Sequence, residues 1–194
     1  MSVFDVVGSS LLKERGLRFG GLTYEFAEIE LYWHSPEHPD PYVHSHPDQE
    51  QYGKWYFHRA SHTGTSYRGG TFKGLDLTLG SKGAPLGILI RSIYHPLMGM
   101  ICGPCLVVDH ILHETKCASI AELVGPAGLL DVTDPRLTLV PHQSESKEPI
   151  YAGPRIGLTP SKAPEWAILP YRLVHRYSLG RGLKAKRSLK LLGS

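Results

Sequence analysis

Residues 22–33 read LTYEFAEIELYW, and the placing of that stretch decides the fold. Tyr24, Phe26, Ala27 and Ile29 mix with Glu25, Glu28 and Glu30, the two-residue period of a half-buried β-strand rather than the 3.6-residue period of a helix. Strand signals dominate after it as well. KWYFHR (54–59) and TFKGLDLTLG (71–80) flank the Gly-containing ASHTGTSYRGG, which predicts a hairpin with a long tip. GILIRSIY (87–94) predicts a buried strand ending in Arg91. The clearest helical start follows, where GPCLVVDHILHETK (103–116) sets Leu106, Val107, His110 and Ile111 at helical spacing. SIAELVG (119–125) predicts a short helix with Ser119 as cap and Gly125 as stop. Pro and Gly then punctuate a final third that reads as loops.

The chain has 194 residues, 41% hydrophobic and 20% charged, with a formal net charge of +3. That composition supports one sizeable core and one globular domain. A run of about eighteen apolar residues, the length a membrane helix needs, does not occur. MSVFDVVGSSLLKERG at the N-terminus lacks a basic region followed by an apolar stretch, so no secretory signal is expected and the chain is expected to be intracellular, nuclear or cytoplasmic. Cys102 and Cys105 lie in MICGPCLVV with no second CxxC and no nearby His pair, which predicts buried thiols and not a zinc site. Arg181, Lys184, Lys186, Arg187 and Lys190 crowd GRGLKAKRSLK. The expected organisation is a domain over 1–178 and a basic tail over 179–194, either solvated or in contact with phosphates.

The strand runs into ELYWHSPEHPDPYVHSH (30–46), where four histidines stand in a Pro-rich loop. Three readings are open: a metal site, a pocket for a flat ligand, or a loop whose histidines are satisfied by its own backbone. His44, His46 and Glu50 form H-x-H-x-x-x-E, which resembles half of the cupin metal motif, and two His with one carboxylate suit iron, manganese or zinc. The other half needs a further His after the PLG turn at 85–87, and position 90 is Ile.

Four blocks favour the pocket. AEIELYW followed by PEHPDPYVHS, then GILIRSI, then ICGPCLVVDHIL, then GPRIGLTPSKAPEWAILPYRLV resemble, in order, the E-x-E-A-Y strand with its P-E-D-x-A-A-H-S loop, the apolar Leu-Arg strand, the G-P-x-x-L helix start and the R-[IV]-G... E-W-A-x-x-P-x-R-[FL] ending of the methylpurine (alkyladenine) DNA glycosylase family. The quoted blocks lie between residues 27 and 174, and the resemblance extends over about residues 4 to 174.

The resemblance implies a compact α+β domain on a curved antiparallel sheet with flanking short helices. It also implies a hairpin that enters the minor groove and a pocket for a flipped-out base. The implied partner is double-stranded DNA carrying a modified base, bound by a monomer with no cofactor and no metal. Glu30 matches the catalytic carboxylate that activates water, and Glu28 the other acidic residue of that strand. Tyr32 matches the aromatic that stacks on the base and His44 the histidine that lines the pocket, with Asp40 keeping the spacing. On KWYFHR the family places an aromatic across the base, here Tyr56. Tyr67 at the hairpin tip is either a wedge in the duplex or a turn tyrosine packed on its own hairpin, and Arg68, Arg91, Lys184 and Arg187 are expected phosphate contacts.

There are departures. Asp76 replaces an asparagine that helps the family exclude guanine, and an ionised Asp accepts hydrogen bonds only. Leu31 replaces an alanine, three extra residues lengthen the Pro-rich loop, and residues 59–71 align poorly. No Lys stands where a Schiff-base nucleophile is expected, which implies a monofunctional glycosylase. The rival reading of the same fold is a non-catalytic binder of modified nucleic acid.

Overall fold

The computed structural model describes residues 2–192. Its secondary structure runs α1 (Val3–Glu14), β1 (Arg15–Phe19), β2 (Leu22–Ser35), β3 (His38–Pro39), β4 (Tyr52–Phe57), β5 (Leu75–Leu79), β6 (Leu86–His95), β7 (Gly99–Cys102), α2 (Pro104–Glu114), α3 (Ile120–Val124), β8 (Leu130–Asp131), β9 (Thr138–Pro141), β10 (Tyr151–Gly153), α4 (Pro164–Ala167), β11 (Arg172–Val174) and β12 (Lys190–Leu191). The class is α+β, and every strand pairing among the described residues is antiparallel.

The glutamate-rich strand β2 is the axis of the sheet. The main strand order is β12-β10-β11-β2-β6-β5-β4-β8, and β1 pairs with the first part of β2 where β11 pairs with the later part. Its alternation was expected to mark one buried and one wet face, yet Glu25, Glu28 and Glu30 are as buried as their apolar neighbours. The core face switches parity on the way. Tyr24 and Phe26 point into the core, and beyond Ala27 the core residues become Ile29 and Leu31. Register shifts between Phe26 and Glu28 and again between Glu28 and Ile29 absorb the change, as β-bulges do when they re-aim side chains.

On the apolar face, α1 contributes Leu11 and Leu12 and α2 contributes Val107, Val108 and Ile111 to one core with Ile29, Leu31, Ile88, Ile90, Ile93 and Leu173. Leu106, expected on the inner face of α2, instead points to solvent while Val108 takes the buried place. Ser119 caps α3 by accepting from the Glu122 amide, and Gly125 ends it with φ of 70°. Helix α1 had no counterpart among the expected elements, although Ser2 and Asp5 close a reciprocal capping box at its start. The three cysteines are half-buried free thiols rather than core residues.

The basic segment after 178 is folded onto the sheet as far as it is described. Leu183 is buried and Lys190–Leu191 pairs with Tyr151 and Ala152. A Cβ on Gly153 would lie 2.9 Å from Leu189 and 3.0 Å from the Ser188 carbonyl, so the segment lies against β10 with no room for a side chain. Among the described residues no helix is long and apolar enough to cross a membrane.

A chain ended after Leu179 is expected to lose about 2–4 kcal/mol of stability through the lost Leu183 packing and edge strand, read as a lower urea midpoint. An unchanged midpoint would show that the segment is an appendage.

Candidate active site

The ladder of the sheet sets one row of side chains across five strands. Tyr56 of β4 stands opposite Asp76 of β5, Asp76 opposite Leu89 of β6, Leu89 opposite Glu30 of β2, and Glu30 opposite Arg172 of β11. Opposed residues in a ladder share a face, and this is the face away from the core. The neighbouring row carries Thr78, Gly87 and Tyr32.

Beneath this face lies a closed charge network. The Arg172 Nε donates to Glu28 Oε1 at 2.6 Å, the Arg91 Nε to the same oxygen at 3.1 Å, and the Ser92 hydroxyl to Glu28 Oε2 at 2.6 Å. The other arm of the Arg91 guanidinium reaches Glu30 Oε2 at 3.4 Å. Those four charged side chains are between 0 and 8% exposed, so each carboxylate depends on a fixed cation in place of water. Arg91 was expected at a strand end; it sits in the middle of β6 with its charge committed to these acids.

Glu30 is held by three donors. Besides Arg91, the Tyr32 hydroxyl donates to Oε2 at 2.9 Å and the Ile156 amide to Oε1 at 2.7 Å. Burial pushes the Glu30 carboxyl above its ordinary value, against the pull of Arg91, the Ile156 amide and the Tyr32 hydroxyl. Tyr32 is itself raised well above the usual phenol range, by burial and then by the Glu30 charge, and so remains a donor.

Above Glu30 opens a cavity of about 300 Å³ walled by Tyr32, His44, His58, Asp76, Leu89 and Ile156, with Arg68, His62 and Lys162 also on its lining. That volume is at the small end of ligand pockets. Glu30 has no solvent exposure and does not itself line the cavity; Tyr32 and Ile156, which do line it, donate to its two oxygens.

Arg155 stacks its guanidinium 4.5 Å from the Tyr32 ring centre. It also forms a fully buried pair with Asp40 and donates to the Leu31 carbonyl at 3.1 Å. Asp40 in turn accepts from the Tyr42 amide at 3.0 Å. The Pro-rich loop is thereby pinned over the strand, which brings His44 to the cavity.

The expected residue of β4 does not reach the cavity, and the residue just after the strand does. Tyr56 is fully buried behind the wall, stacked on His46 with ring centres 5.4 Å apart, and His58, two residues on, takes its place at the cavity. The His58 Nε2 pairs with Asp76 Oδ1 at 2.8 Å, and the Gln49 amide donates to Asp76 Oδ2 at 2.9 Å. Both Asp76 oxygens are therefore engaged before any ligand arrives. A Cβ on Gly87 would stand 2.5 Å from Asp76 and 2.9 Å from Gln49, so only glycine leaves space for that contact.

Tyr67 is not a free wedge. Its hydroxyl donates to the Gly128 carbonyl at 3.1 Å and its ring lies 4.1 Å under the Arg59 guanidinium, while Phe72, five residues on, is 72% exposed. Lys184 and Arg187 are exposed but lie on the C-terminal segment, outside the cavity lining. His46 has both ring nitrogens in use, with Nδ1 accepting from the Asp48 amide at 3.1 Å and Nε2 facing the Gly64 carbonyl at 3.3 Å. Among the described residues no group of three His, Cys, Asp or Glu side chains is placed to hold a metal ion, so His44, His46 and Glu50 do not form the three-ligand set that their spacing suggested.

His58, His62, Arg155 and Lys162 were missed by sequence reasoning. Arg155 and Lys162 both stand in the GPRIGLTPSKAPEWAILPYRLV block quoted above; His58 and His62 become visible only when the hairpin folds back on the loop.

The fold and cavity define an antiparallel α+β domain that holds a buried carboxylate under a small polar pocket. The chain matches no protein-family model. It is 39% identical over 186 residues to the uncharacterized protein L759 of Acanthamoeba polyphaga mimivirus, covering 88% of this chain and 85% of that protein. It belongs to the family of that viral protein.

Two outcomes follow from the geometry. His44 is lowered to about 4 by burial first and then by His58, Arg68 and His62, so the unfolded chain binds a proton there that the folded chain refuses. Its contribution is fully present above pH 6.5 and is lost as pH falls toward 4; in His44→Asn the loss of stability across that window is expected to be smaller. Asp76→Asn leaves the Gln49 or the His58 donor without a partner and is expected to cost about 1–3 kcal/mol in thermal unfolding.

Proposed function

We propose that this chain is a monofunctional DNA glycosylase that hydrolyses the bond between a modified base and its deoxyribose. The observation that carries the reading is Glu30: a carboxylate with no solvent exposure, fixed by a guanidinium, a backbone amide and a phenol, the last two from residues that line a cavity of about 300 Å³. A carboxyl whose proton affinity is raised by burial is suited to take a proton from water. In the proposed step a water oxygen bonds to the sugar C1′, its proton passes to Glu30, and the C1′–N bond breaks with its electron pair leaving on the base. The product is an abasic site.

The remaining residues take supporting parts in this reading. A base must leave the stack to be reached. Tyr32 offers a flat ring toward the cavity while Arg155 backs it. His44, kept neutral and with a buried Nε2 that has no hydrogen-bond partner among the described residues, offers the extruded base a hydrogen-bonding nitrogen. Arg68 and Lys162 at the cavity edge are suited to phosphates, which fix register without reading sequence. Phe72, exposed on the same hairpin, replaces Tyr67 as the side chain available to a duplex. Asp76 acts by orienting His58 and Gln49.

The test is release of free base, in EDTA, from duplexes carrying alkylated, deaminated or oxidised bases. Native protein is expected to release at least one of them, and Glu30→Gln to release it about 10²–10⁴-fold more slowly while binding the duplex as well as before. Binding of the duplexes without release by native protein would instead favour a non-catalytic module that recognises modified DNA.

A further inference from the structure

Arg172 has no part in the step just described, and it stands among the largest fully buried side chains of the protein. Its Nε donates to Glu28, and its two terminal nitrogens have no hydrogen-bond partner among the described residues. It sits opposite Glu30 in the β2–β11 ladder, yet the contact it makes is with Glu28. A guanidinium buried at that cost on a single hydrogen bond calls for a reason beyond packing.

The charge count supplies one. Glu28 and Glu30 are two acids sharing the reach of Arg91, which donates to both at 3.1 and 3.4 Å. Without a second cation, the nearer carboxylate would draw Arg91 to itself. Arg172 provides that cation on the far side of Glu28, and Ser92 holds the remaining Glu28 oxygen. We propose that Arg172 is a positioning residue for Glu30: by satisfying Glu28 it leaves the second arm of Arg91 on Glu30 and so sets the proton affinity of the carboxylate that receives the proton from water. The catalytic consequence rests on the glycosylase reading; the electrostatic coupling does not.

The other groups around the pair are accounted for. Tyr32 on β2 donates to Glu30, Cys102 on β7 faces Ser92 and Glu28, and Arg155 beyond β10 is committed to Asp40. On the side of β5, Leu89 stands between Asp76 and Glu30 in the row. None of these supplies Glu28 with a cation.

The experiment is a charge cycle read by carbon NMR of the glutamate carboxyls across pH, with the Glu30 signal assigned by its loss in Glu30→Gln. In Arg172→Met, Arg91 is expected to turn toward Glu28 and the Glu30 midpoint to rise by about one unit or more. Glu28→Gln removes the competing acid, and the midpoint is expected to fall. The Glu28→Gln, Arg172→Met double variant removes a neutral pair, and its midpoint is expected between the two. Arg172→Lys, which keeps the charge, is expected to lie nearer the native value than Arg172→Met does. Where base release is measurable, the acid limb of its pH profile is expected to move with the midpoint.

Loss of packing alone predicts no opposite shifts and no return in the double variant. A Glu30 midpoint that stays fixed across the cycle overturns the proposal, and if Arg172→Met fails to fold, Glu28→Gln and the double variant still decide it. Opposite shifts in a protein that releases no base would leave the coupling standing and remove the glycosylase reading instead.

Discussion

The ion pairs that tie Glu28 and Glu30 to Arg91 and Arg172 are the constraint on which the rest of the structure depends. Two carboxylates on one strand, both without water, are tolerable only if cations reach them from both neighbouring strands. Arg91 comes from β6 and Arg172 from β11, which flank β2 on opposite sides. Replacing such a network with apolar side chains is often neutral or favourable for stability. Retaining four buried charges therefore points to a use for them rather than to a need of the fold.

The bulged register of β2 and β6 makes that network possible. A regular alternation running from Tyr24 would have left Glu28 in line with Tyr24 and Phe26, in the core. The shift around Ala27 moves Ile29 and Leu31 inward and turns Glu28, Glu30 and Tyr32 to the opposite face. Arg91 and Ser92, adjacent in sequence, both reach Glu28 because β6 is irregular at the same place. The sheet thus keeps a continuous apolar core under a polar site, and the α1 and α2 residues that fill that core bear on the site only through the register they fix.

Much of this was legible in the sequence, and the parts that were not share a cause. The strand at 22–33, the hairpin of β4 and β5, the strand at 87–94 and the helices at 104 and 120 announce themselves by local period and caps. Of the Pro-rich loop residues that reach the cavity, His44 was marked only by the family resemblance. What stayed hidden depended on pairing. Glu25, Glu28 and Glu30 look like a wet face because the arginines that bury them, at 91, 172 and 176, are 61 to 151 residues away. Tyr56 and His58 share a strand face, and only the approach of Gln49 and Asp76 decides which of them meets the cavity. The segment after 178 reads as a tail from its charge, while Leu183 and the pairing of Lys190 with Ala152 are weak signals in sequence.

The same separation in sequence says how the site is assembled. Glu30 receives the Ile156 amide from the loop after β10, and Glu28 receives Arg172 from β11, so neither carboxylate has its full set of donors until the C-terminal third has docked on β2. The segment from 180 to 191 then lies on β10 at a point where Gly153 leaves no gap. A β2 strand with only β1 and β6 beside it would hold Glu28 and Glu30 with Arg91, Ser92 and Tyr32 and without Arg172. Until β11 and the loop at 155–156 arrive, those acids lack Arg172 and the Ile156 amide. Docking of the C-terminal third therefore completes the fold and the donor sets of both carboxylates together, which couples the integrity of the sheet edge to the site at its centre.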